Sequence, residues 1–343
     1  MKPYRETKVP FYAGDGMPLH LLRIQGEADA LKGPVLLVHG AGVRGNIFRA
    51  PVETSIVDAL IAAGYEVWLE NWRASIDLPA NPWTLDQAAL YDHPKAVDKV
   101  IEVTGASSIK AIIHCQGSTS FMMSMIAGLV PKVDVVVSNA VSLFPVVPAW
   151  SKVKLKFAIP LVKPFLDYLD PQWGNYAPDL LTKALAGLVR LTHHECDNEV
   201  CKMVSFVYGA GFPALWRHEN LNRATHDWLS GEFAAVSVQF FQQIRKSVAA
   251  GHLVGIENLA GLPQDYVAQA PKTDARISFL TGEYNRCFLP ESQQRAFDYF
   301  NDLKKNYYSL HRFSNYSHLD IFMGEHAARD VFPVILKELA GQD

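Results

Sequence analysis

The stretch that most constrains this chain is Ile109-Lys110-Ala111-Ile112-Ile113-His114-Cys115-Gln116-Gly117-Ser118, where a continuous apolar run passes into a segment of small, helix-compatible residues with almost no loop. Such a run reads as a strand buried on both faces, and strands of that kind belong to mostly parallel sheets. The junction residue, Cys115, is then held proud of the sheet beside a helix N-terminus, where aligned peptide dipoles favour negative charge.

The rest of the chain alternates to match. Residues 8–13 and 19–25 flank Gly14-Asp15-Gly16 and predict a β-hairpin. Residues 35–38 predict a buried strand ending in His39-Gly40-Ala41-Gly42. A helix over 52–63 closes at Gly64, a strand covers 66–71 (EVWLEN), and a helix over 85–104 is interrupted near Pro94 and closes at Gly105. Further strands are expected over 109–113 and 133–137. From 142 to 270 the pattern is helical, rich in aromatics and proline, with no strand expected. Alternation resumes with a strand over 276–280, a helix over 290–303, a strand over 307–313 and a helix over 327–339. The expected fold class is therefore α/β: a mostly parallel sheet with helices on both faces. Residues 1–141 and 271–343 form its core, and 142–270 an inserted helical cap over the C-terminal edge of the strands.

Composition narrows the partners. The 343 residues are 49% hydrophobic and 20% charged with a net charge of −3, so no broad basic face attracts nucleic acid or an anionic membrane. No uncharged apolar run reaches the roughly 18 residues of a membrane span. The N-terminal stretch lacks the apolar core of a secretory signal, and four cysteines are too few for a disulfide framework in so long a chain. A cytoplasmic protein with reduced thiols is expected; the oligomeric state is not legible.

The chemistry centres on Cys115. Small residues are needed two positions to either side of a nucleophile on so tight a turn; Gly117 meets that need and Ile113 departs from it. Ser118 and Ser120 are rival nucleophiles, but each lies further into the helix. The His39-Gly40-Ala41-Gly42 loop offers the Ala41 N–H, which with the Gln116 N–H would form an oxyanion hole; Gly40 and His114 belong to the same two motifs. His318, on the loop after the last strand, stands where a general base is expected. In Gly282-Glu283-Tyr284-Asn285 the slot three residues after the glycine, where a carboxylate usually orients the base, holds Asn285. A thiol gives up its proton more readily than a hydroxyl, so a neutral amide can suffice, and the expected triad is Cys115–His318–Asn285. Glu283 and Asn139 are the other groups that could orient the histidine, and Asp320 reads as loop-structuring. Cys287 reads as packing. His193-His194-Glu195-Cys196 with Cys201 matches no common zinc spacing, so no metal is expected. Aromatics from Trp150 to Trp216, Tyr208 among them, line either a pocket or the cap's own interior.

These motifs resemble the acid lipase branch of the α/β-hydrolases from about residue 33 onward. Gly64–Asn71 is similar to that branch's GYDVWLGN, Leu90-Tyr91-Asp92-His93-Pro94 to its KYDLPA, and His114–Thr119 to its HSQGTT with cysteine in place of serine. Ser317-His318-Leu319-Asp320 is similar to its NHLD. Residues 285–292 and 318–324 also resemble bacterial hydrolase segments found with cholesterol-oxidase-like flavoproteins. A cysteine on this turn is similar to that of polyhydroxyalkanoate synthases. The resemblance implies an α/β-hydrolase fold and a cofactor-free hydrolase. It would cleave a small-molecule or lipid ester, or a thioester, of an apolar acyl group through an acyl-thioester on Cys115. An acyltransferase using the same cysteine, or a non-catalytic binding protein on this scaffold, are the alternatives.

Overall fold

The computed structural model describes residues 4–341. Its strands are β1 (Arg5–Tyr12), β2 (Pro18–Gln25), β3 (Pro34–Val38), β4 (Glu66–Asn71), β5 (Ile109–His114), β6 (Val133–Asn139), β7 (Tyr168–Leu169), β8 (Val236–Ser237), β9 (Arg276–Gly282) and β10 (Ser309–Phe313). Eight of them form one sheet in the order β1-β2-β4-β3-β5-β6-β9-β10. The β1–β2 and β2–β4 pairings are antiparallel and the other five are parallel. This is the α/β-hydrolase fold.

The reason lies in burial. All five residues of β3 and all six of β4 are buried, and β5 is buried except at Lys110. Each fully buried Val, Leu or Ile contributes about 1.5–3 kcal/mol, which only a sheet covered on both faces can collect. The helix Cys115–Ala127 lies against this centre with its first twelve residues buried.

Element ends differ from the sequence expectation for identifiable reasons. The helix expected over 52–63 begins at Ile56, because Ser55 caps it: its hydroxyl accepts from the Asp58 N–H while the Asp58 carboxylate accepts from the Ser55 N–H. The interruption near Pro94 is a π-turn over Ala88–Asp92, after which the helix His93–Thr104 restarts with proline in its first turn, where no N–H is required. The last expected helix is likewise split, into Ala327–Asp330 and Phe332–Ala340 with Pro333 at the second start.

Between β6 and β9 the chain is largely helical, with Leu180–Thr192, Glu199–Tyr208 and Val238–Ala250 its longest helices. It also contains a strand pair that the sequence does not suggest: β7 and β8 pair antiparallel over two residues each, too short to leave a periodic signature. Among the described residues no helix is long and apolar enough to cross a membrane.

Candidate active site

Cys115 is a non-glycine residue with φ +56°, left-handed backbone that costs about 1–3 kcal/mol unless its surroundings impose it. They do so here. β5 runs straight into the helix, and the turn is pressed against the β3 loop: a Cβ on Gly117 would collide with the His39 carbonyl oxygen, and one on Gly40 would stand 3.0 Å from Cys115 Cβ. Only glycine permits either approach. Ile113, where a small residue is expected, is fully buried in β5 beside Ser138 of β6 and is accommodated.

The Cys115 sulfur opens into a cavity of about 140 Å³ between the sheet edge and the helical segment, lined mainly by apolar side chains such as Val147, Ile159, Phe240 and Ile244. Its thiol is pushed well below the ordinary value. The Cys287 thiol that hydrogen-bonds to it is the largest cause, and His318 and the Gln116 N–H add to this against the opposing effect of burial. Cys287, read from sequence as packing, is pushed up by the same contact. The two sulfurs share one cavity wall.

A ring nitrogen of His318, a ring nitrogen of His114 and the Cys115 sulfur lie within 4.8 Å of one another. The centroids of the two imidazoles are 4.7 Å apart, with the rings tilted by 55°. His114 is held neutral by burial and then by His318, and its Nδ1 accepts from Asn139 Nδ2 at 2.9 Å. The same Asn139 amide donates to the His318 carbonyl at 3.0 Å, so Asn139 fixes the histidine's backbone rather than its ring. Glu283 is exposed and pairs with Arg312 at 2.8 Å. Asp320 is buried and accepts from the N–H groups of Ser317 and Arg217 and from Asn220, the loop-structuring role expected; burial raises it to about 6.

Asn285 reaches the ring, 3.1 Å from Nδ2 to His318 Nδ1. Its orientation differs from the expected one. Asn285 Oδ1 accepts from the N–H groups of Cys287 and Phe288 at 3.0 and 3.2 Å, so the amide presents its NH₂ to the imidazole. Nδ1 must accept, and neutral His318 carries its hydrogen on Nε2, which is buried without a partner among the described residues. A general base needs the opposite tautomer.

Around the turn, Ala41 and Gln116 are buried. Tyr208, from the helix Glu199–Tyr208, donates its hydroxyl to the Ala41 carbonyl at 3.1 Å and ties that loop to the segment above. Its phenol is pushed well up by burial and by Cys115, so it stays a donor. His39 donates Nδ1–H to the Gly40 carbonyl at 2.6 Å and is lowered to about 4 by burial. Besides Tyr208 and the two thiols, the polar residues lining the otherwise apolar cavity are Gln116 and Ser151, whose carboxamide and hydroxyl have no partners among the described residues, and Lys154. Lys154 donates to the carbonyls of Phe206 and Gly209, and burial lowers it to about 8. Neither Lys154 nor Cys287 carries a sequence signal, since only the fold brings them to the Cys115 cavity.

The rival serines are placed elsewhere. Ser118 bonds Ser138 at 2.7 Å. Ser120 bonds His93 Nε2 at 2.7 Å, and His93 Nδ1 bonds Glu70 at 2.8 Å. Glu70, His93 and Ser120 have the connectivity of a catalytic triad, yet all three are fully buried and none lines the cavity. Glu70 and His93 stand where the resembled lipase stretches carry glycine and leucine.

No protein-family model matches the chain. It is 26% identical over 165 residues to "Lipase lipl-3" of Caenorhabditis elegans, covering 42% of this chain and 40% of that lipase. It is 24% identical over 366 residues to human "Lipase member K", covering 98% and 88%. Among solved structures it superposes on an esterase from Exiguobacterium antarcticum with a TM-score of 0.58 at 12% identity, over 98% of this chain and all of that one.

Proposed function

We propose that this chain is an acyl hydrolase acting on esters of apolar acyl groups through a thioester on Cys115. The observation that carries this reading is the left-handed Cys115 at the β5–helix junction, its lowered thiol facing an apolar cavity with His318 beside it. The similarity to lipases and to an esterase fold supports the reaction class. The segment 142–270 acts as the cap that bounds the acyl site, and four unpaired thiols suit a reducing, cytoplasmic setting.

In this mechanism the Cys115 thiolate attacks the ester carbonyl, and the N–H groups of Ala41 and Gln116 hold the developing oxyanion. The alcohol leaves with a proton, and water then releases the acid from the thioester. His318 serves both proton transfers, but each needs an acceptor at Nδ1. Asn285 offers one only by turning its amide over and giving up two backbone N–H bonds. Attack by a thiolate that has already lost its proton to solvent, with departure of a leaving group that needs no proton such as nitrophenolate, is therefore favoured, while protonation of an ordinary alcohol and activation of water are both slow. An acyltransferase shares the first step and differs in what meets the thioester; the mainly apolar lining of the cavity, which disfavours water, is what favours that second reading.

The test is intact-mass spectrometry after mixing with a panel of p-nitrophenyl esters. Expected are an acyl adduct on the wild-type chain that clears to free acid, and no adduct on Cys115→Ala. Release of nitrophenol at the wild-type rate by Cys115→Ala overturns the assignment. Predominant transfer to added alcohols at millimolar concentration replaces the hydrolase by the transferase.

A further inference from the structure

We propose that the helical segment carries a structural zinc site made by Cys196, Cys201, His218 and His226, separate from the Cys115 centre. One ligating atom from each of these four residues lies within 4.8 Å of all the others. Cys201 Sγ and His218 Nε2 are 3.4 Å apart, and the two imidazoles meet edge to face at 5.0 Å. A tetrahedral zinc with Zn–S near 2.3 Å and Zn–N near 2.05 Å sets its ligands about 3.3–3.8 Å apart, so small side-chain rotations complete the shell. Two thiolates with two imidazoles select zinc over hard cations such as magnesium or calcium.

Independent features point to a ligand. His226 Nε2 is buried and has no partner among the described residues, an orphaned imidazole nitrogen in a cluster of donors. The Trp216 indole N–H, also buried and without an acceptor at hydrogen-bonding geometry, stands beside Cys201, where a metal-bound sulfur carries negative charge. Asn198 braces the ligand-bearing backbone: its Oδ1 accepts from the Cys201 N–H at 3.0 Å and its Nδ2 donates to the His226 carbonyl at 3.0 Å. In sequence the nearest histidines to Cys196 and Cys201 are His193 and His194, and with those partners no zinc pattern emerges. The structure supplies His218 and His226 instead, at a spacing (C-x4-C, sixteen residues, H-x7-H) outside the common zinc patterns.

The site would stiffen the active centre. His218 sits inside the segment that clasps the catalytic loop: the Leu215 carbonyl accepts from the N–H groups of His318 and Leu319 at 3.2 and 2.8 Å, and Asn220 donates to Asp320 at 2.7 Å. A metal joining His218 to the helix Glu199–Tyr208 fixes that clasp. Binding releases the two thiol protons to solvent, and no redox change is involved.

The experiment measures metal in the full chain purified under reducing conditions from zinc-supplemented cells. It then titrates the chelator-stripped chain with Zn²⁺ and with Co²⁺ as a spectroscopic probe. Expected is about one zinc per chain, retained in Cys115→Ala and lost in Cys201→Ser and His226→Ala. Zinc should also protect Cys196 and Cys201 from iodoacetamide while leaving Cys115 reactive. Three results overturn the proposal: a chain that neither retains zinc nor takes up Zn²⁺ or Co²⁺ after stripping; a Cys196–Cys201 disulfide found in the purified chain; or metal that follows Cys115, since His114, Cys115 and His318 are the other close donor cluster among the described residues. The wild-type titration keeps the test decisive if a variant fails to fold, and none of these readouts depends on the proposed activity.

Discussion

Asn285→Asp is the substitution that most directly probes how the site moves protons. The oxygen that accepts from the Cys287 and Phe288 N–H groups is retained, so the side chain keeps its place. The atom 3.1 Å from His318 Nδ1 changes from a donor NH₂ to an acceptor oxygen. His318 then carries its hydrogen on Nδ1 and has a free lone pair on Nε2. In serine enzymes the reverse change, a carboxylate replaced by an amide that leaves the wrong tautomer, lowers kcat by about 10⁴-fold. Here the thiol is already pushed down, so nucleophile activation gains little. Activation of water on the thioester gains the base contribution, about 10²-fold or some 2.7 kcal/mol.

The assay is stopped-flow release of nitrophenol combined with quenched intact-mass measurement of the acyl adduct. The wild-type chain should show a burst followed by slow turnover with the adduct accumulated. Asn285→Asp should turn over about 10²-fold faster with little adduct at steady state. The companion pair, Cys115→Ser alone and with Asn285→Asp, should differ by up to about 10⁴-fold, because an alkoxide depends fully on the base. If Asn285→Asp folds normally and deacylates no faster, the tautomer argument is wrong.

Three further outcomes follow from the same geometry. Lys154 has its pKa lowered from 10.5 to about 8 by burial, so the unfolded chain binds the extra proton and stability rises with pH across that interval. Relative to Lys154→Met, the wild-type chain should gain about 2 kcal/mol in denaturant unfolding between pH 7 and pH 9.5; a constant gap refutes the assignment. His93→Leu should cost about 3 kcal/mol because it strands the buried Glu70, while Glu70→Leu with His93→Leu should cost less than either single change; additive losses in the cycle would show that the two do not act as a pair. Tyr208→Phe should lower kcat about 3–10-fold by releasing the Ala41 carbonyl, with stability nearly unchanged, and an unaltered kcat would remove Tyr208 from the oxyanion loop's support.

The central strands β3 and β5 were legible because they are buried on both faces and leave long apolar runs, and β4 matches its expected span to the residue. The helix start at Ile56 was obscured because Val52 extends the apolar period beyond the Ser55 cap, although Ser55-Ile56-Val57-Asp58 carries the capping signal in plain sight. At the candidate site, chain order and turn context point to Cys115, His318 and Asn285, and the structure brings these three side chains together. The direction of the Asn285 amide was not legible, since it depends on two backbone N–H groups that a sequence does not orient. Cys287 reaches Cys115, and Lys154 the same cavity, from segments remote in sequence. Glu70 and His93 each look unremarkable alone and acquire meaning only when β4 and the π-turn bring them to 2.8 Å.

The same amide explains why a carboxylate need not be an improvement at this position. In the proposed mechanism the negative charge on Cys115 is supported by the Cys287 thiol, by His318 and by the Gln116 N–H, in a largely buried site. A carboxylate at position 285 adds a second buried negative charge to that network, and like charges in low dielectric oppose each other's ionisation. The native Asn285 thus favours the thiolate, whereas the Asn285→Asp change favours the proton transfer that follows. The two effects separate in the pH dependence of Cys115 alkylation by iodoacetamide, which reads the thiolate fraction without any ester present. Alkylation of Asn285→Asp should titrate at higher pH than that of the wild-type chain, even as its deacylation is faster. Identical alkylation profiles would mean that the amide contributes nothing to the thiolate, and that cysteine and asparagine at these two positions are independent.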